Sequence, residues 1–233
     1  MRKGLMIVTV LLAGASVAAA GTSKDEMKRV TDASRVLREI RAAPDKNIPE
    51  SIWQRARCVA VMPDVKKAAF VVGGEYGKGV MSCRTGTGWS APVFLRLEKG
   101  SFGAQIGAES TDVVLLVMNE HGIERLLQDK VTLGADASLA AGPIGRSGAA
   151  ATDAQLTAEM LSYSRAHGVF AGIDLSGGSL RSDESADQAF YGHAIPARDV
   201  LFDKARVPRS SAARAFIAAL DGVSRQSGTG HGA

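Results

Sequence analysis

The sequence predicts an α+β fold: a curved, glycine-rich, mainly antiparallel β-sheet or partial barrel packed by several short helices. Between Cys58 and Leu175 it is written as short β-branched runs punctuated by glycine, which is strand wording. Gly73, Gly74, Gly77 and Gly79 fall within or between these runs, where a missing side chain lets strands bend or pack closely. Long helices do not alternate with the runs, which argues against a doubly wound parallel sheet.

The elements follow in order. Arg2 and Lys3, the apolar run Leu5–Val17 and the small residues Ala18, Ala19 and Ala20 have the layout of a signal peptide covering residues 1–20. The chain is therefore expected to be exported, to a periplasmic or extracellular place. No cysteine stands at the cleavage point, so lipoprotein-type attachment is not expected. Ser23 and Glu26 form a capping box, and Met27, Val30, Ala33, Leu37 and Ile40 recur at helical spacing, predicting a helix over 23–42. Pro44 and Pro49 end it and open a shorter helix through Ile52 and Trp53 to Ala56. Predicted strands are Cys58–Met62, Ala68–Glu75, Gly79–Arg84, Val93–Leu97, Gly103–Ala108 and Val113–Met118. Asn119 caps a helix carrying Ile123, Leu126 and Leu127. Strands return at Thr132–Ala140, Glu159–Arg165 and Val169–Leu175, the last two flanking a turn at Ala166-His167-Gly168. Helices are predicted at Ser185–Tyr191 and Ala212–Leu220, before a Gly/Ser-rich tail over 223–233 with disordered composition. Residues 21–222 read as one domain with its core over 57–192, since neither an internal repeat nor a mid-chain linker divides them.

The net charge is +4, and +2 once Arg2 and Lys3 are set aside. With aromatic residues at 5% and scattered singly, that balance excludes a nucleic-acid surface, which needs a concentrated basic stripe and stacking rings. Catalytic and cofactor motifs fail one by one. The nearest segment to a nucleophile elbow, Gly145-Arg-Ser-Gly148, is misspaced. Gly86-Thr-Gly-Trp-Ser-Ala91 matches a loose dinucleotide pattern, but Pro92 and a strand follow where a helix N-terminus must hold the pyrophosphate. Gly77-Lys78 lacks the first glycine and the Ser/Thr of a phosphate loop. His121, His167, His193 and His231 stand alone, so no metal set is expected. Asp174, Asp183 and Glu184 read as a solvated acidic loop rather than an acid–base pair. No enzyme activity and no cofactor is expected.

Cys58 and Cys83 are the only cysteines, on two predicted strands. In an exported chain an even count favours a disulfide, the other possibility being two buried thiols. The first helix also has two uses. Its apolar stripe docks on the sheet with Lys24, Lys28, Arg35, Arg38 and Arg41 solvated, or it lies in an anionic membrane interface with those cations on lipid. Lys66 and Lys67 are a second basic pair, serving either the same surface or protection of a strand edge.

The ordered series CVAVMPDVKKAAFVVGGEYGKGVMSCR, GWSAPVFL, GSFGAQIGAESTDVVLLVMN, LGADASLAAGPIGR, AEMLSYSRAHGVFAGIDLSG and DQAFYG resembles the SYLF domain over roughly residues 25–195. Eukaryotic members of that family bind phosphoinositide membranes and, in some cases, actin. The resemblance implies lipid binding through a basic amphipathic N-terminal segment, which falls here at residues 23–41. Its candidate residues are Lys24, Lys28, Arg35, Arg38 and Arg41, with Lys66 and Lys67 added as the second basic pair. For an exported chain the expected ligand is an anionic envelope phospholipid at a membrane surface, and actin binding is not expected. The competing expectation is an envelope protein-interaction or structural module with a protein partner and no lipid preference.

Overall fold

A computed structural model describes residues 19–42, 48–69, 72–86, 88–102, 107–144, 155, 157–166, 169–202 and 210–224. Most of the predicted signal peptide, Pro44, the strand start at 103–106, the turn residues 167–168 and the tail beyond 224 lie outside them. Helices α1 (Ala19–Ala42) and α2 (Glu50–Arg55) precede strands β1 (Cys58–Ala69), β2 (Val72–Thr85), β3 (Gly88–Trp89), β4 (Val93–Phe102) and β5 (Gly107–Val117). Then follow α3 (Glu120–Leu126), β6 (Lys130–Thr132), β7 (Leu139–Ala141), β8 (Met160–Ala166), β9 (Val169–Gly172) and β10 (Ser179–Ser182). Helices α4 (Glu184–Tyr191), α5 (Ala197–Phe202) and α6 (Ser211–Ser224) complete the described chain. The strands join in the order β6-β10-β4-β2-β1-β5-β8-β7, with β3 on β2 and β9 on β8. Among these named strands only the β7–β8 pairing is parallel. The sheet curls strongly into a half-barrel packed by helices, which is the α+β class the sequence predicts.

Both faces of the central sheet are buried, and strand alternation divides the apolar residues between them. Val59, Val61, Val80, Phe94, Val114, Leu116, Leu161 and Tyr163 point to the face covered by α1, α2, α4 and α6. Cys58, Ala60, Met62, Met81, Val93, Leu95, Val113, Leu115 and Met160 point to the other, closed by Leu126, Val131, Leu133, Leu180, Val200 and Leu201. Burial on both sides is why the strands read as continuous apolar runs rather than as alternation. Cys58 and Cys83 are direct partners across β1 and β2 and are joined as a disulfide.

Several boundaries differ from the sequence expectation. Helix α1 begins at Ala19, so Ser23 lies inside it and the capping box does not start it. Cys58–Met62 and the start of Ala68–Glu75 merge into β1, while its end from Val72 and Gly79–Arg84 merge into β2. The run Thr132–Ala140 is two strands, because the Thr132 amide donates to Asp136 Oδ2 and Gly134 takes φ +82°, folding a turn between β6 and β7. Strand β9 ends at Gly172, short of Leu175, and α6 runs on to Ser224. Strands β3 and β10 and helix α5 carry too little periodicity to stand out in sequence.

Candidate functional site

One irregularity in β1 builds the site. Met62 pairs with Val113 and Val65 with Thr111, so Pro63 and Asp64 together face the single residue Asp112 on β5. The register on the β2 side slips between Val61 and Lys66 as well. This is a β-bulge, the place in an interior strand where a proline without an N–H is tolerated. Asp64 takes φ +58°, a region that aspartate enters more readily than most residues. Its amide donates to Asp112 Oδ1 at 3.1 Å, and its carboxylate accepts from Lys66 Nζ at 2.8 Å and from the Ser110 hydroxyl. The Lys66 and Ser110 hydrogen bonds hold its carboxyl below the usual carboxylate range. Opposite the bulge β2 must come close. A Cβ at Gly77 would lie 2.6 Å from Val65 Cγ2, and one at Gly79 would lie 2.9 Å from Met62 Cα.

The bulge lies where the helix-covered face stops being apolar. Lys66, paired with Tyr76 across β1 and β2, and Lys78 two residues on share this face. A cleft of about 260 Å³ opens between them and the N-terminal half of α1, lined also by Asp25, Lys28, Asp32 and Asp64. Tyr76 is 44% exposed at its edge. Lys28 Nζ bonds Asp32 Oδ2 at 2.5 Å, and that carboxylate raises the ammonium pKa. The groove therefore carries three lysines and an exposed phenol at its rim, with the carboxylates of Asp25, Asp32 and Asp64 interleaved.

Arg29, at the inner wall of the same groove, behaves differently. Its side chain is 10% exposed, with the guanidinium 3.1 Å from Asp183 Oδ2, 3.5 Å from Glu26 Oε1 and 5.2 Å over the ring of Phe94. Burial alone would raise the Asp183 carboxyl, but the Ser185 hydroxyl and the Arg29 charge hold it below its ordinary value. Asp183 is thus buried between α1 and α4, which corrects its expected place in a solvated loop; the Arg29 cation draws it in.

The predicted residues divide between groups. Lys28 and Lys66 meet at the groove, joined by Lys78, which sequence reading missed. Lys24, Arg35 and Arg38 are exposed on α1, with Arg35 bonded to Glu39 at 3.2 Å. Lys67 points away from Lys66 and sits 3.6 Å from Glu75. The side chain of Arg41 lies outside the described set. Val30, Ala33, Leu37 and Ile40 are 0–1% exposed against the sheet and α6, so the helix keeps its apolar stripe in the core, while Met27 is 39% exposed. Asp174 is exposed and accepts from the Ser176 amide at 2.8 Å; His167 lies outside the described residues. His121 Nδ1 lies 2.5 Å from Glu159 Oε1 on the surface. Among the described residues no His/Cys/Asp/Glu group is arranged to hold a metal, and no helix is long and apolar enough to cross a membrane.

A family model described as Ysc84, Las17-binding protein actin regulator, matches residues 98–223. Protein YSC84 of Saccharomyces cerevisiae is 32% identical over 168 residues, covering 70% of this chain and 36% of its own length. SH3 domain-containing YSC84-like protein 1 of Homo sapiens is 31% identical over 202 residues, covering 85% of this chain and 58% of its own length. The corresponding protein of Rattus norvegicus is 33% identical over 183 residues, 77% of this chain and 54% of its own length. The chain thus spans a part of each relative it matches. With the family model covering more than half of it, and with the ordered motifs in β1, β2, β4, β5 and β8, the chain belongs to the Ysc84 family of SYLF-domain proteins.

Proposed function

We propose that this chain is a non-enzymatic module that binds anionic phospholipid at a membrane surface, and that it does so as an exported, periplasmic or extracellular protein. The observation that carries the reading is the convergence of Lys28, Lys66 and Lys78 with exposed Tyr76 on one groove rim. Cations on a rigid edge suit phosphodiester oxygens, and a tyrosine suits the boundary between headgroup and acyl chain. Lys24, Arg35 and Arg38 on α1 extend the same charge. Because the apolar stripe of α1 is occupied by the core, binding is peripheral and electrostatic rather than by helix insertion. The relatives' printed names refer to Las17 and to actin regulation; neither is part of this proposal.

Co-sedimentation of the chain with phosphatidylglycerol vesicles and with neutral phosphatidylcholine vesicles, at two salt concentrations, tests it. Binding to the anionic vesicles alone, weakened by salt, is expected. Reversing Lys28, Lys66 and Lys78 to Glu together removes about 1 kcal/mol per cation and should lower affinity by roughly 100-fold. Equal binding to both vesicles, or none, would leave a protein-interaction module as the better reading.

A further inference from the structure

Strand register assembles a charged row from residues that the sequence disperses. Lys78 on β2 is the direct partner of Arg96 on β4, Arg96 of Arg181 on β10, and Arg181 of Lys130 on β6. Direct partners project from the same face, so four cations stand in line across four adjacent strands. At about 4.8 Å per strand the line is roughly 14 Å long. Lys78, Arg181 and Lys130 are exposed, and the Arg96 side chain is 39% exposed. Among the described residues the row's sole ion pair joins Arg96 to the buried Asp183 at 3.9 Å, and that carboxylate already serves Arg29. Like charges directly opposite one another weaken a sheet. A lysine on the edge strand β6 guards against edge-to-edge pairing, which accounts for Lys130 but not for Arg96 and Arg181 on interior strands.

Two residues along each strand, on the same face, lies a second row. Tyr76 faces Glu98, Glu98 faces Ser179, and Ser179 faces Thr132. This row offers a phenol that is 44% exposed, an exposed carboxylate and two aliphatic hydroxyls. Arg96 Nε and Ser179 Oγ, diagonal neighbours where the two rows adjoin, are both buried without a hydrogen-bond partner. Buried polar atoms ordinarily have one.

We propose that the two rows form a binding site for an anionic polysaccharide, with its acid groups on the cation row and its hydroxyls on the row from Tyr76 to Thr132. Acid groups and hydroxyls carried side by side on one chain are the chemistry of an acidic sugar polymer. Glu98 argues against a uniform polyanion such as polyphosphate, which its carboxylate would repel and which has no hydroxyl to donate to it. Tyr76 is the single ring in the two rows, too few for a run of stacked bases. Lys78 is shared with the lysine groove, but the rest of the strip is not, and the proposal does not rest on lipid binding.

Calorimetric titration of the full chain with an alginate hexamer tests the assignment. Saturable binding, weakened by salt, is expected, with no heat from a neutral dextran oligomer. Arg181→Gln combined with Lys130→Gln changes two exposed residues outside the lysine groove. It should weaken alginate binding about 30-fold and leave binding to phosphatidylglycerol vesicles within about twofold. Glu98→Ala separates sugar recognition from plain charge. Loss of a hydroxyl acceptor should weaken alginate binding about threefold, whereas plain attraction would strengthen when an acid is removed. Absence of alginate binding, equal affinity in the double variant, or tighter binding in Glu98→Ala would each overturn the proposal. So would a polyphosphate of equal charge binding more than about tenfold tighter than alginate, or loss of vesicle binding in the double variant, which would make the row part of a membrane surface.

Discussion

Lys28 and Arg29 are neighbours on α1, yet the Lys28 side chain is 75% exposed and the Arg29 side chain 10%. Lys28 meets Asp32 in water, where pairing is weak and either partner can be exchanged for a ligand. Arg29 meets Asp183, Glu26 and the face of Phe94 where water is excluded, so its charge ties α1 to α4 and β4. One turn of helix thus presents one charge for contact and spends another on assembly.

The largest effect should come from breaking the buried side. Arg29→Ala takes the cation from buried Glu26 and leaves Asp183 only the Ser185 hydroxyl and Arg96 at 3.9 Å, and should destabilise the fold by about 3 kcal/mol, seen as a melting temperature lower by roughly 10 °C. A loss under about 1 kcal/mol would erase the distinction between the two cations. Asp187→Asn should act in the other direction. Burial raises the folded-state pKa of Asp187 to about 7 from 3.8, so the folded protein holds the proton more tightly. Stability therefore declines as pH rises from near the lower value to near the upper one. The variant should gain roughly 2–4 kcal/mol over the parent above pH 7 and nothing near pH 4, by denaturant titration at both. A pH-independent difference would mean that the carboxyl titrates normally. Gly79→Ala probes the close approach opposite the bulge, because its Cβ meets the β1 backbone, which cannot swing away as a side chain can. A loss of about 1–3 kcal/mol is expected in chemical denaturation. Smallest is Lys28→Gln, with stability unchanged within about 0.5 kcal/mol and affinity for phosphatidylglycerol vesicles lower by about fivefold.

Much of the fold was legible because glycine-punctuated apolar runs have few other meanings, and the cysteine pair sat on two such runs. The continuity of the strands was not, since Pro63 and Gly77 read as breaks when they are a bulge and the close approach opposite it. Arg29 gave a signal that spacing could have caught: it lies three residues after Glu26 and four before Ala33, in register with the buried stripe. Lys78 is two residues from Tyr76, but its meeting with Lys66 depends on the β1–β2 register, which composition does not encode. The burial of Asp187 arises from how α4 is laid over β4, a tertiary choice invisible in an eight-residue helix.

Met62 and Val65 belong to the same side of the sheet although they are an odd number of positions apart. Strict alternation would put them on opposite sides, so one residue between them is surplus to the sheet. Removing Asp64 would leave Pro63 opposite Lys78 and Lys66 still opposite Tyr76, with every inward side chain keeping its orientation. Such a deletion would keep the facing of the strand but lose the carboxylate that holds Lys66 and the amide that donates to Asp112, and it would set Pro63 in a regular ladder between two neighbours, so a stability loss is expected. The chain carries one letter more than strand alternation needs, and that letter stands at the groove.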